Sequence, residues 1–304
     1  MKKILVIGAG NVGAHIISHG IAKNLGADFY LMDLNEELTK AQLLDLKDTL
    51  LFSGNSRVHG IKFGDPIIHE MDIIVITAGA NQAPGETRCD LLAKNAKILN
   101  SIADGLKPLK EDAIIMLVTN PVDIITKMAQ DIFPVDNKQI LGTGTLLDSA
   151  RLRWRVAEHL NINVNSSHGY VLGEHGDSEF VAWSTVKFPH LFSEEIRPQI
   201  EESVRREAYD IIEGKGSTYF GVAAATVKLL NAIMHDTREI FPVSTSYPHF
   251  ADSDLQRTPL GVPAVISQHG VEHIPPLQLD SEEKKKLTAS AKKLTDLYTE
   301  YKEN

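Results

Sequence analysis

One cysteine, Cys89, is all the 304-residue chain contains, so it can close no internal disulfide and offers no thiolate pair for zinc, a usage that suits a reducing compartment. It has no basic excess: 31 Lys and Arg stand against 40 Asp and Glu, a net charge of -9 without a long basic patch, which argues against nucleic acid and anionic membranes as partners. Nor does it carry the roughly 18 uninterrupted apolar residues of a membrane helix. The start, MKKILVIGAG, sets two lysines before an apolar run as a signal peptide does, but the run is short, Gly8 interrupts it, and polar Asn11 and His15 follow. These absences predict a cytoplasmic protein without a metal site. What is present, 43% hydrophobic and 23% charged residues, is an ordinary globular composition at a length that suggests about two domains.

Ile4 to Ile7, Phe29 to Met32, Ile73 to Thr77 and Ile114 to Val118 are short β-branched and leucine-rich runs that predict buried parallel strands. Between and after them lie segments of helical period: Val12 to Leu25, Glu36 to Leu51, Cys89 to Leu106 and Ile124 to Gln130. Alternation of this kind predicts an α/β fold, a Rossmann doubly wound parallel sheet. Beyond Gly142 the pattern turns to helices near 148–159, 198–213, 221–236 and 281–301 with a short mixed region between, so an α+β substrate domain is expected. The expected division is 1–142 for the cofactor and 143–304 for the substrate, with a cleft at the junction. Ser281 is expected to cap the last helix, and the run from Glu282 to Lys286 to form a solvated face.

Gly8, Gly10 and Gly13 form G-x-G-x-x-G directly after the first strand and at the start of the first helix. There the first two glycines permit a tight turn and close approach of a pyrophosphate, the third permits helix-sheet packing, and the helix start, with Asn11 and Val12, offers free amides and a positive dipole end. Asp33 ends the second strand; a carboxylate there accepts from both adenosine ribose hydroxyls and repels a 2'-phosphate, favouring NAD over NADP. A merely tight βα turn is the alternative for the glycines alone. The most informative segment is LGEHGDS at 172–178, where His175 lies between Gly173 and Gly176. Such flanking predicts an imidazole presented to a ligand as proton donor or acceptor, and a surface turn with a solvated histidine is the alternative.

Four segments, TAGANQAPGETR at 77–88, TNPVD at 119–123, GTGTLLDSAR at 142–151 and LGEHGDS, resemble the lactate/malate dehydrogenase family in order and separation, and the match covers essentially the whole chain. That resemblance implies hydride transfer between NAD and a 2-hydroxy acid, with His175 moving the proton and Asp148 orienting its ring. It implies that Arg151 forks the substrate carboxylate, that Arg88 polarises the carbonyl from a closing lid, and that Asn120 contacts substrate and nicotinamide. Gly79, Thr143 and Val222 fall near the cofactor. Taken alone, Asp148 could be a helix cap, Arg151 a solvated helix residue and Asn120 a turn former.

Malate-type chains of the family carry Arg where Gln82 stands, because oxaloacetate brings a second carboxylate; neutral Gln82, with Thr218, points instead to pyruvate and L-lactate. A 2-hydroxyisocaproate-type range of bulkier substrates is the alternative, suggested by GTGTLLD and EFVAWSTV. Family members with Arg at Asn81 have an additional cofactor contact that this chain lacks. Arg153 and His168 match a pair that binds fructose 1,6-bisphosphate in bacterial members, implying an allosterically activated homotetramer; a solvated arginine and an unrelated histidine are the alternative.

Overall fold

The computed structural model describes residues 1–80 and 88–303, apart from the side chains of Arg88 and Cys89. Six strands run parallel: β1 (Lys3–Ile7), β2 (Asp28–Met32), β3 (Arg57–Gly60), β4 (Ile73–Ile76), β5 (Ile114–Leu117) and β6 (Ile140–Gly142), in the order β3-β2-β1-β4-β5-β6. The helices between them are α1 (Asn11–Ala22), α2 (Glu36–Thr49), α3 (Arg88–Leu106) and α4 (Val122–Ile132). Alternate strand residues sort to opposite faces, as a period of two requires. Ile4, Val6, Phe29 and Val75 pack against Ile16 and Ile17 of α1, whereas Leu5, Ile7, Ile74 and Leu117 pack against Leu92 of α3 and Ile125 of α4.

The second half adds α5 (Leu146–Leu160), the antiparallel pair β7 (Tyr170–Leu172) and β8 (Phe180–Ala182), α6 (Ile196–Lys215), α7 (Phe220–His235), β9 (Ile240–Ser246), β10 (Pro259–Ser267), β11 (Gly270–His273) and α8 (Ser281–Glu303). It is α+β as expected, but its longest strands build no separate sheet. β9, β10 and β11 extend the parallel sheet antiparallel, joined through Gly142 opposite Ser244. A Cβ on Gly142 would come within 2.9 Å of that serine's Cβ, and one on Gly144, at φ +51°, within 2.4 Å of its amide, so the junction is closed by glycine.

Two local expectations are corrected. The last helix is capped by Asp280, whose Oδ1 accepts from the amides of Glu282 and Glu283 at 2.8 Å, while Glu283 Oε2 accepts from the Asp280 amide at 3.0 Å; Ser281 is the first helical residue. Glu283 is also buried, its other oxygen accepting from the amide of Ser184, so the charged run is not solvated throughout.

Candidate active site

At the carboxyl ends of β1, β2 and β4 a cleft of about 620 Å³ opens, walled by Gly8, Gly10, Asn11, Val12, Gly13 and Asp33, with Gly79 at its margin. The three glycines divide the work. A Cβ on Gly13 would lie 1.9 Å from the Gly8 carbonyl oxygen, and one on Gly8, at φ +112°, 2.5 Å from Thr77 Oγ1, so both are glycine because the turn packs on itself. A Cβ on Gly10 would meet no atom within 4 Å; the room it leaves belongs to the cleft. Gly10 caps α1 without a side-chain hydrogen bond, leaving first-turn amides for an anion. Asp33 Oδ2 accepts from the Ala9 amide at 2.7 Å and Oδ1 from the Asn35 amide at 2.9 Å, which fixes the carboxylate at the cleft wall with lone pairs to spare. An open glycine, uncapped amides and an oriented acid fit a dinucleotide.

His175 lies in the turn joining β7 to β8, and each of three successive amides of that turn is held by a different element. Gly173 exchanges backbone hydrogen bonds with Gly261 of β10, Glu174 N donates to Ser290 Oγ of α8 at 2.7 Å, and His175 N donates to Asp123 Oδ2 of α4 at 2.8 Å. Gly173 sits at φ +97° with no room for a Cβ beside Ser290. This is an anchored loop, not a solvated surface turn. The His175 ring is 28% exposed, and its Nδ1 meets Asp148 Oδ2 at 2.7 Å.

Asp148 is the third residue of α5, and Thr145 holds the cap position, so the capping alternative does not apply. Its other oxygen accepts from Arg151 Nη1 at 2.9 Å, and Arg151 Nε faces Glu207 Oε1 of α6 at 3.3 Å, a charge contact off the hydrogen-bond axis. Arg151 is buried, not solvated. Burial pushes the Asp148 carboxyl up, but His175 and Arg151 outweigh it and hold it below the usual carboxylate range. The Asp148 charge raises the His175 imidazole to about 9 against the opposing effect of burial. Glu179 completes the group: donor atoms of Asp148, His175 and Glu179 lie within 4.8 Å of one another. Burial, then the Asp148 charge, push Glu179 up to about 8. With Arg151 neutralising one Asp148 oxygen and His175 closing the other, the set is compensated internally and built for proton transfer.

His175 faces a second pocket of about 170 Å³, lined by Asn120, Pro121, Asp123 and Glu174 and walled by Leu91, Ile124, Leu294 and Leu297. The Asn120 carbonyl accepts from Asn95 Nδ2 at 2.7 Å, while Asn95 Oδ1 accepts from the Ala80 amide at 2.7 Å, tying the TNP turn to the start of the segment expected to be a lid. Gln82 lies outside the described residues, as does the side chain of Arg88, although its backbone starts α3. Thr143 follows β6, Thr218 lies in the α6–α7 connection beside the cleft residue Ser217, and Val222 is in the first turn of α7.

Arg153 and His168 meet around one ring: the Arg153 guanidinium lies 5.5 Å from the Tyr170 centroid, and His168 packs edge-on to the same ring at 4.9 Å. Burial, then the charges of Arg153 and Lys187, lower the His168 imidazole. Sequence reasoning missed Asn95, Asp123, Glu179, Glu207 and Ser290. Asn95 carries a visible signal, a polar residue on the apolar stripe of α3 between Leu92 and Leu99, and Glu179 directly follows LGEHGDS; Glu207 and Ser290 carry none.

Residues 2–142 match the family model described as lactate/malate dehydrogenase, NAD binding domain, and residues 145–304 its alpha/beta C-terminal domain. The chain is 35% identical over 299 residues to L-lactate dehydrogenase 1 of Listeria monocytogenes, covering 95% of this chain and 94% of that one. It is 36% identical over 306 residues to the L-lactate dehydrogenase of Kosmotoga olearia, covering 95% and 93%. Among solved structures it is similar to a lactate dehydrogenase from a Medee basin deep-sea metagenome library, with a TM-score of 0.93 at 30% identity over 99% of each chain. The minor L-lactate dehydrogenase of Enterococcus mundtii in its ligand-bound form gives a TM-score of 0.91 at 30% identity over 98% of each.

Proposed function

The chain belongs to the lactate/malate dehydrogenase family, and from that premise we propose that it is an NAD-dependent L-lactate dehydrogenase interconverting pyruvate and L-lactate. The observation that carries this reading is the buried Arg151–Asp148–His175 chain beside an apolar-walled pocket.

Gly8, Gly10, Asn11, Val12, Gly13, Asp33 and Gly79 hold the dinucleotide, with Thr143, Val222 and Asn120 toward its nicotinamide. When bound, NADH supplies the hydride that goes to the keto carbon. His175, protonated at neutral pH, gives its proton to the carbonyl oxygen and takes it back in lactate oxidation. Asp148 keeps Nδ1 occupied so that Nε2 carries the exchangeable proton, and its charge stabilises the imidazolium. Arg151 pairs the substrate carboxylate, Asn120 orients the carbonyl, and Arg88 closes on the developing oxyanion.

Choice of substrate rests on charge. The pocket at His175 already has two carboxylates on its wall, Asp123 and Glu174, and Gln82 brings no cation to neutralise a second substrate carboxylate. Oxaloacetate is disfavoured, and the methyl group of pyruvate suits the apolar wall and Thr218. We also assign the cofactor half to 1–142 and the substrate half to 143–304, a cytoplasmic location, a homotetramer, and activation by fructose 1,6-bisphosphate at Arg153 and His168. Among the described residues no helix is long and apolar enough to cross a membrane. NADH oxidation with pyruvate, oxaloacetate and 2-ketoisocaproate side by side is the test. The expected order puts pyruvate first; preference for oxaloacetate would overturn the argument from Gln82, and preference for 2-ketoisocaproate would replace pyruvate with a bulkier substrate.

A further inference from the structure

Asp123 is one of the most deeply buried acids of the fold, 2% exposed, and both its oxygens are engaged across chain segments far apart in sequence. Oδ2 accepts the backbone amide of His175 at 2.8 Å, and Oδ1 accepts the hydroxyl of Ser244 on β9 at 2.6 Å. It stands in the first turn of α4, three residues after Asn120, so one short stretch carries both Asn120 and the acid that grips the His175 backbone. Asp148 fixes the ring of His175 from α5, and Asp123 fixes its main chain from α4. A ring hinged on a loop needs both restraints, because a shift of the backbone moves Nε2 even when Nδ1 stays bonded.

We propose that Asp123 is a positioning residue of the 2-keto acid reduction, holding the His175 backbone in register with Asn120 through its ionised carboxylate. The inference rests on the dehydrogenase reading above. The ionised form accepts from both the amide and the hydroxyl in charge-assisted bonds, whereas a protonated carboxyl turns its O–H to the Ser244 hydroxyl and holds the His175 amide only by a weaker neutral bond. Burial pushes this carboxyl up to about 6, against the stabilising hydrogen bonds from Ser244 and the His175 amide. Among the described residues the charged groups facing it are His175, whose cation favours ionisation, and Glu174, whose charge opposes it. Glu174 is in turn paired with Lys293 of α8 at 2.7 Å, and β9 contributes only the neutral Ser244. The grip therefore loosens as pH falls through about 6, a range in which His175 itself remains fully protonated.

The test is the pH profile of kcat/KM for pyruvate reduction in the wild type, Asp123→Asn and Ser244→Ala, with NADH affinity measured by fluorescence on each. Wild-type enzyme is expected to lose activity below about pH 6. Asp123→Asn is expected to bind NADH normally, to show no such acid limb, and to run at about one tenth of the wild-type plateau or less, through kcat rather than KM, the cost of one charge-assisted hydrogen bond. Ser244→Ala keeps the acid but removes one stabilising donor, so its limb is expected to move to higher pH by about half a unit or more. A wild-type profile flat from pH 5 to 8, or an unmoved limb in Ser244→Ala, would overturn the proposal, as would a wild-type plateau and limb in Asp123→Asn. Should Asp123→Asn fail to bind NADH, Ser244→Ala alone decides. A wild type that reduces no 2-keto acid at any pH fails the dehydrogenase reading itself, a result distinct from all of these.

Discussion

At His175 the direction of one pKa determines the pH behaviour of both reactions. With His175 as the proposed proton carrier, pyruvate reduction consumes the protonated imidazole and lactate oxidation the neutral one, so with a value of about 9 reduction is expected to hold its plateau from about pH 6 up to that value and to fall above it, and oxidation to rise through the same alkaline range. The Asp148 charge is the largest cause of the raised value. Asp148→Asn should therefore carry the alkaline limb of reduction down toward the ordinary imidazole value of about 6.5, with a large loss of kcat. Glu179 adds charge only once it ionises, near pH 8, and from there it supports the imidazolium. Glu179→Gln should shift the same limb down by about half a unit. Initial rates between pH 5 and 10 at saturating NADH measure both; an Asp148→Asn limb still near 9 would show that another group holds the proton.

Within the first βα unit, the glycines separate binding from folding. Gly13→Ala drives a Cβ into the Gly8 carbonyl at 1.9 Å, a backbone clash with no side chain to yield, and is expected to cost about 3 kcal/mol or more of stability. Gly10→Ala meets nothing in the protein, and its backbone, at φ -69° and ψ -173°, is open to any residue. It should melt within about a degree or two of wild type without cofactor, since a surface substitution away from strain changes stability by about 0.5 kcal/mol at most. Its NADH affinity should nevertheless fall by about tenfold or more, the cost of crowding a pyrophosphate. Unchanged affinity would mean that this turn does not hold the phosphates. The motif was legible because its glycines, strand and helix are contiguous, and so was the division into turn, close approach and packing; which atoms each glycine meets was not, since that depends on Thr77 and the fold of the turn over itself. The same division holds elsewhere. β1, β2, β4 and β5 are continuous apolar runs and could be read directly, whereas β3, an edge strand reading RVHG, and β6, only ILG, have too few apolar residues to show a period. His175, Asp148 and Arg151 were legible through short motifs, but Asp123 and Ser244 lie 121 residues apart and meet only because β9 returns to the parallel sheet.

For the whole molecule, that return of β9 to β6 makes one sheet of two halves, and the hairpin of β7 and β8, outside that sheet but bridged to β10 through Gly173 and Gly261, carries with α5 both His175 and the Arg153–His168 cluster. Arg151 and Arg153 are two residues apart on α5, so Arg153 sits on the same helix that carries Asp148 and the proposed carboxylate clamp. Alone, one chain brings Arg153, Lys187 and a histidine together, and their mutual repulsion is part of why His168 is lowered. An anion with two phosphate groups, held between symmetry-related copies, would relieve that repulsion on both sides. Because His168 is lowered, it is charged only on the acid side of its ordinary value of 6.5, and binding of the anion to the charged form is favoured there. Fructose 1,6-bisphosphate is therefore expected to steepen the rise of rate at low pyruvate, more at pH 6 than at pH 7.5, and light scattering should give a tetramer. Arg153→Gln should abolish the response while the saturating-pyruvate rate changes little. Pyruvate saturation curves with and without the bisphosphate decide it: superimposable curves at both pH values would leave Arg153 and His168 as a stacking pair around Tyr170, serving only to pack α5 against β7.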